Sequence, residues 1–233
     1  MRCIEYIVEP DRLLLSWQTK TKGNRLRMFV AELIRNDNDA DLVYLKDSED
    51  FSKAENLGFE GYPGFEVEKG VVYKDVLASF MKRLPPRSRG DFNRFLDALR
   101  LKSDAVISDF ALLGYSGAKL PDDDFTVIHP FENASVPFEL MLPVQGYRYY
   151  KDKLPLADLS TDMQATFEAE PDNPHDPEAI KIIINAVKAG YVCRGLTGSF
   201  HEWMQSDLII SAYVERINGT EQKPKIYLYV SVK

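Results

Sequence analysis

Between residues 163 and 184 the chain places apolar side chains at alternate positions twice, with a compact turn in the middle. Met163, Ala165, Phe167 and Ala169 recur at every second residue, and so do Ile180, Ile182 and Ile184. A period of two marks a strand with one buried face. The six residues Asp172-Asn173-Pro174-His175-Asp176-Pro177 must turn, because proline fixes φ and lacks a donor while Asp and Asn side chains bond their own backbone. Around this pair the same pattern continues. Residues 142–150 read as a preceding strand, Tyr191 and Val192 as a short one after Gly190, and 208–214 and 226–232 as two more flanking a loop with Asn218-Gly219. Ser199-Phe200-His201-Glu202 matches a capping box and predicts a short helix carrying Trp203 and Met204. Five or six short strands with one or two short helices predict a small, mostly-β, OB- or SH3-like barrel.

The preceding part reads differently. Residues 12–17, the stretch 26–33 and residues 42–45 predict three strands in an antiparallel meander, with Asn36-Asp37-Asn38-Asp39 as a turn. Residues 52–57 suggest a helical turn, and Gly58, Gly61, Pro63 and Gly64 a loop without regular structure. From residue 73 the period becomes helical: Val76, Leu77, Phe80 and Met81 share one face, and Pro85-Pro86 ends it. Further helices are expected over 90–101, with Phe92, Phe95, Leu96 and Leu99 on one face, and over 103–113, with Ser103 as N-cap. Strands followed by helices make an α+β domain. Residues 125–140 hold short apolar pieces broken by Pro130, Asn133 and Pro137, and the boundary is placed there, giving domains 1–138 and 139–233.

At 45% hydrophobic residues the chain can bury a sizeable core. No run of about eighteen apolar residues occurs and no secretory leader opens the sequence, so a cytoplasmic location without membrane insertion is expected. The net charge is −7, and neither part, divided near residue 140, is basic. Such a balance argues against coating nucleic acid by bulk electrostatics, so any such contact must be local. Cys3 and Cys193 lie far apart and form no CxxC, and with only His129, His175 and His201 besides, neither a disulfide framework nor a metal site is indicated.

Three short motifs stand in order: Gly146-Tyr147-Arg148-Tyr149-Tyr150, then Asp172-Asn173-Pro174-His175-Asp176-Pro177-Glu178-Ala179-Ile180, then Gly190-Tyr191-Val192. Together they resemble the HIRAN domain, over roughly residues 140–233. The resemblance implies an OB-like barrel that captures the 3′-hydroxyl end of single-stranded DNA or a similar nucleic-acid end. By it Tyr149 would stack on the terminal base, His175 would close the other side, and Asp176 would accept a hydrogen bond from the 3′-hydroxyl. Arg148, Asn173 and Arg194 would hold phosphate. His175 stands where a characterised member has tyrosine, and Asp172 adds a negative charge beside the expected phosphate. The residues alone leave two readings of Asp176 open, since an Asx turn would employ it as a cap. On a strand, Tyr149 and Tyr150 point to opposite faces, with Tyr149 expected to be the exposed one.

The first domain is similar, in order and flavour, to the N-terminal subdomain of HipA-type toxin kinases: a strand meander, then Phe80-Met81-Lys82-Arg83-Leu84-Pro85-Pro86-Arg87-Ser88-Arg89, then Asp109 to Leu113 and a Gly-Tyr-Ser-Gly-Ala loop. The kinase motifs have no counterpart, so no kinase activity is implied. Lys82, Arg83, Arg87, Arg89, Arg94 and Arg100 form the one basic cluster of note. It reads either as a phosphate contact or as solvated helix ends. The acidic triplet Asp122-Asp123-Asp124 reads as solvated loop or as a hard-cation contact. No Walker A loop, GxSxG elbow or HExxH occurs, so no catalytic residue and no cofactor is expected. The reading is a nucleic-acid-binding protein, with a protein partner conceivable through the first domain. The alternative is a non-catalytic interaction adaptor linked to a toxin–antitoxin or defence system.

Overall fold

The computed structural model describes residues 2–19, 27–68, 70–120, 124–220 and 222–233. Asp122 and Asp123 of the acidic triplet lie outside the described residues. The chain divides into two compact units, each assembled from separate segments. One comprises Glu9–Phe95 and Val106–Pro130, the other Met1–Val8, Leu96–Ala105 and Phe131–Lys233.

In the first unit, strands β1 (Arg12–Gln18), β2 (Arg27–Asn36) and β3 (Asp39–Tyr44) form the expected meander, with Leu13 opposite Leu33 and Leu33 opposite Leu42. Helix α1 (Glu49–Asn56) follows, capped by Ser48, whose Oγ accepts the Phe51 N–H at 3.1 Å. The glycine-rich stretch expected to be irregular instead makes a hairpin of β4 (Gly61–Tyr62) and β5 (Phe65–Glu66), and β6 (Val72–Tyr73) pairs with β3. Helices α2 (Leu77–Met81), α3 (Phe92–Ala98), whose last three residues are counted with the other unit, and α4 (Asp109–Ser116) come next, and then β7 (Phe125–Ile128). Strand β7 returns to pair with β1, giving the order β6-β3-β2-β1-β7. The pairing on both edges makes β1 an interior strand, and Leu13 to Trp17 form a continuous buried run because both faces of the strand are covered. Rings of Trp17, Tyr44, Phe51, Phe59, Tyr62, Phe80 and Phe125 pack against one another in the core of this unit.

The last of these helices starts later than expected. Its N-cap is Ser108, which accepts the Ala111 N–H at 3.0 Å, and not Ser103. Residues 102–105 form a turn instead, closed by the Ala105 N–H on the Lys102 carbonyl. In α4 itself, Gly114 is needed for close packing: a Cβ there would lie 2.7 Å from Leu13 Cδ2 and 2.8 Å from His129 Cβ.

The second unit contains β8 (Phe138–Pro143), β9 (Gln164–Ala169), β10 (Ile180–Ile184), β11 (Val187–Tyr191), α5 (Arg194–Gln205), β12 (Ile210–Thr220) and β13 (Lys223–Val232). The strands form one curled antiparallel sheet in the order β11-β10-β9-β12-β13-β8. An antiparallel bridge between Gln145 and Tyr191 links the two outermost strands. Its core holds Ile180, Ile182, Ile184, Ala212, Val214, Leu228 and Val230, the inward sides of three alternating strands.

Two local expectations change here. Helix α5 begins at Arg194, five residues ahead of the expected capping box, so Ser199 is a buried interior residue. The helix is set by its apolar face: Phe200 packs on Phe167 at 4.7 Å and on Trp203 at 4.8 Å, and Trp203 on Phe138 at 5.1 Å between ring centroids. Asn218-Gly219 is not the hairpin tip either. Both residues stay in β12, opposite Lys225 and Pro224, because Gly219 at φ +91 accommodates a close approach to the Lys223 carbonyl. No helix among the described residues is long and apolar enough to cross a membrane.

The earliest segment of this unit, Met1–Val8, is tied to the sheet by polar groups. The buried Glu139 carboxylate accepts the N–H groups of Glu5 and Tyr6 at 3.0 Å each, and the Tyr229 hydroxyl donates to the Cys3 carbonyl at 2.8 Å. Burial and the nearby Glu139 push the Tyr229 hydroxyl pKa upward, so it stays a donor.

Candidate nucleic-acid interface

The expected strand over 142–150 ends at Pro143, and Tyr147–Tyr149 is a 3-10 turn. The cause is Gly146, whose φ of +75 turns the chain out of the sheet. Alternation therefore does not govern these tyrosines. Tyr147 is the core residue, 2% exposed, its hydroxyl donating to the Leu154 carbonyl at 2.5 Å. Tyr150 is half-buried and donates to the Tyr191 hydroxyl at 3.2 Å. Tyr149 projects outward, 72% exposed. The Arg148 guanidinium lies 4.6 Å from its ring centroid and donates to its hydroxyl at 2.8 Å.

The turn over 172–177 is organised by Asn173. Its Oδ1 accepts the N–H groups of His175 at 2.9 Å and Asp176 at 3.2 Å, while its Nδ2 donates to Glu170 at 2.7 Å and to the Tyr191 hydroxyl at 2.9 Å. The amide thus shapes the loop with both of its ends. Asp176 acts in the structure as the cap, one of the two readings left open by the sequence. Its Oδ1 accepts the Glu178 N–H at 3.0 Å, as an Asx turn requires, while Oδ2 faces the Arg194 guanidinium at 3.7 Å. His175 and Asp172 are exposed on the loop. His201, on α5, faces Glu178 at 3.5 Å.

What brings turn and loop together is the motif residue Tyr191 with two residues that the motifs did not single out, Glu170 and Lys188. Lys188 donates to both oxygens of Glu170, at 2.6 and 2.9 Å, and the Tyr191 hydroxyl donates to Glu170 at 2.8 Å. The Lys188 ammonium also lies 4.4 Å from the Tyr191 ring centroid and 5.3 Å from that of Tyr150. The hydrogen bond from Lys188 holds the Glu170 carboxyl down at about 2, against the cost of burial, with Asn173 and Tyr191 assisting. Burial lowers the Lys188 pKa, but its bonds to Glu170, Tyr191 and Tyr150 outweigh this and raise it overall. Tyr191 is pushed up to about 12, chiefly by burial, so its hydroxyl keeps its proton. The sequence sign of Glu170 and Lys188 was their place: Glu170 directly follows one strand of the alternating pair and Lys188 lies two residues before Gly190.

Gly190 explains why the third motif begins with glycine. A Cβ there would lie 2.2 Å from the Gln145 carbonyl oxygen and 2.7 Å from Val144 Cγ1. The close approach lets Tyr191 and Gln145 bridge, which sets Gly146 and its turn beside Tyr191. A Cβ placed on Gly146 would touch Tyr149 at 3.7 Å and Tyr191 at 3.9 Å. The structure therefore brings Arg148 with Tyr149, and Asp176 with Arg194, and joins the two loops through Asn173, Tyr150 and Tyr191.

The basic cluster of the first domain is largely engaged within the protein. Arg87 bonds Asp109 and the Ile107 carbonyl, Arg83 the Ala118 carbonyl, Arg89 pairs with Asp91 and Arg100 with Glu215. Among the described residues no group of His, Cys, Asp or Glu is placed to hold a metal ion.

Residues 138–233 match the family model of the HIRAN domain. Among solved structures, the chain is similar to the crystal structure of the HIRAN domain of human HLTF, at 23% identity and a TM-score of 0.34, over 40% of this chain and 74% of that one. It is also similar to the crystal structure of a protein from Lactobacillus plantarum, at 22% identity and a TM-score of 0.33, over 40% and 92% of the two chains. No curated protein matches the chain.

Proposed function

We propose that the HIRAN region of this chain, residues 138–233, binds the 3′-hydroxyl end of a single nucleic-acid strand, and that the protein acts as a binding module rather than an enzyme. HIRAN domains are in general nucleic-acid-binding. The observation that carries the reading is the exposed ring of Tyr149, held out on a turn whose flanking tyrosines are both tied into the protein. Such a ring offers a stacking surface to any base, and it loses little freedom on binding because its backbone is already fixed. Arg148 beside it supplies positive charge where a phosphate would follow, which a chain of net charge −7 must do locally.

The remaining assignments follow from position. His175 lies exposed on the neighbouring loop, where its flat ring is free to meet a base. Asp176 uses one oxygen for the loop, and the other keeps lone pairs for a terminal hydroxyl beside Arg194. Asn173 acts through the loop it shapes. Asp172, exposed nearby, weakens phosphate binding and so keeps affinity modest.

Fluorescence anisotropy with labelled single strands ending in a 3′-hydroxyl or a 3′-phosphate tests this. Wild type is expected to prefer the free hydroxyl, and Asp176→Ala to lose that preference. Binding indifferent to the end, or none at low salt, removes the reading and leaves the protein adaptor in its place.

A further inference from the structure

We infer that Glu170 is a positioning residue for end recognition: through Lys188, Tyr191 and Asn173 it locks the 173–176 loop and the Tyr147–Tyr149 turn into one preformed site. The inference rests on the nucleic-acid reading above and deepens it. Of the residues expected to meet a ligand, Glu170 bonds Asn173, which in this reading acts through the loop it shapes. Its carboxylate receives hydrogen bonds from three side chains on two stretches of chain: Lys188 and Tyr191 on β11, and Asn173 in the loop. Tyr191 in turn accepts from Tyr150, which follows the turn bearing Arg148 and Tyr149. Asn173, with Nδ2 fixed by Glu170 and Tyr191, can present only Oδ1 to the loop, and Oδ1 holds the N–H groups of His175 and Asp176.

The direction of each bond matters. An ionised carboxylate accepts only, so Glu170 dictates that Lys188, Tyr191 and the Asn173 amide all donate to it. That choice orients the Asn173 carbonyl oxygen toward the loop and leaves the Tyr191 oxygen to accept from Tyr150. A neutral amide at position 170 would turn donors against Lys188 and leave both free to reorient. Charge-assisted bonds in a half-buried network are the strong ones, so one side chain sets the geometry of two loops.

The test uses the whole chain and two readouts. Amide hydrogen exchange reports whether the loop is held. In Glu170→Gln, exchange at His175 and Asp176 should quicken by about tenfold, the loss expected for a hydrogen bond to a charged group. Exchange at Ile182 and Ile184 in β10 should stay unchanged. Anisotropy reports recognition: the preference for a 3′-hydroxyl over a 3′-phosphate end should fall by about tenfold, with binding to the strand interior retained. Should Glu170→Gln fold poorly, Glu170→Gln with Lys188→Gln removes both charges together and leaves no unpaired one.

Unchanged exchange at His175 and Asp176, or an unchanged end preference despite faster exchange, overturns the positioning role. Wild type that binds no end overturns the functional reading instead, and the exchange readout alone then upholds or overturns the locking of the loop by Glu170.

Discussion

Gln145 and Tyr191 exchange both of their backbone hydrogen bonds, at 2.9 Å each, although Gln145 follows β8 and Tyr191 ends β11, the two outermost strands of the curled sheet. The exchange is possible because residue 190 has no side chain, and it delivers the Tyr147–Tyr149 turn to the hydroxyl of Tyr191. The architecture of the sheet and that of the candidate interface thus share one contact.

Gly190→Ala should break that contact. With the new Cβ only 2.2 Å from a backbone oxygen, the neighbour to move is main chain, and overpacking of this kind costs about 1–3 kcal/mol. For a chain of this length the midpoint of thermal unfolding should fall by roughly 2–4 °C per kcal/mol. A melting curve superimposable on wild type would contradict the bridge.

Much of this architecture was legible in the sequence, and the exceptions have physical causes. The alternation in β9 and β10 reported the true strands because their apolar residues share one side, fully buried in β10 at Ile180, Ile182 and Ile184 and partly in β9 at Ala165 and Phe167. The run Leu13 to Trp17 reported a strand but not its central place, since β7 comes from far along the chain. The tyrosine motif was misplaced onto a strand because one glycine at positive φ ended the strand early. In α5 the capping-box pattern was outweighed by the packing of Leu196, Phe200 and Trp203, which extends the helix back to Arg194. Of the interface, Tyr149, Asn173 and Asp176 were visible as motif residues. Glu170 and Lys188 were not, since charged residues at strand ends carry no periodic signal and only the pairing of β9, β10 and β11 brings them together.

Tyr149→Ala should reduce affinity for a single-stranded oligonucleotide without lowering stability, because the ring is exposed and its neighbours hold the turn. Loss of one stacked base is worth about 1–3 kcal/mol, or roughly a 5- to 150-fold weakening. Tyr149→Phe keeps the π-face and should stay within a few-fold of wild type. Equal affinities for all three proteins would remove Tyr149 from the interface.

Arg148→Ala should act on salt dependence. A single-strand phosphate neutralised by a cation contributes a slope of about 0.7 in log affinity against log salt. Titrations at several salt concentrations should therefore give a slope shallower by about that amount in the variant. A parallel line merely displaced downward would assign Arg148 to ring support alone.

Acid should weaken the fold partly through Glu170. Its carboxyl titrates near 2 in the folded protein against 4.5 ordinarily, because Lys188 and then Asn173 and Tyr191 donate to it. Its contribution is complete above about pH 5 and is lost as the pH falls from there toward 2, where the folded form also takes up the proton. The stability difference between wild type and Glu170→Gln, from denaturant unfolding at several pH values, should shrink over that window. A difference independent of pH would contradict the network.

The claim that a strand end is what this protein takes is tested most directly by competition. A fluorescent single-stranded oligonucleotide with a free 3′-hydroxyl would be bound to the wild-type chain and challenged with the same sequence, unlabelled, in linear or covalently closed circular form. The account predicts that the linear strand displaces the probe and the circle does not, since the circle offers bases and phosphates but no terminus to Tyr149 and Asp176. Equal displacement by both forms would contradict it.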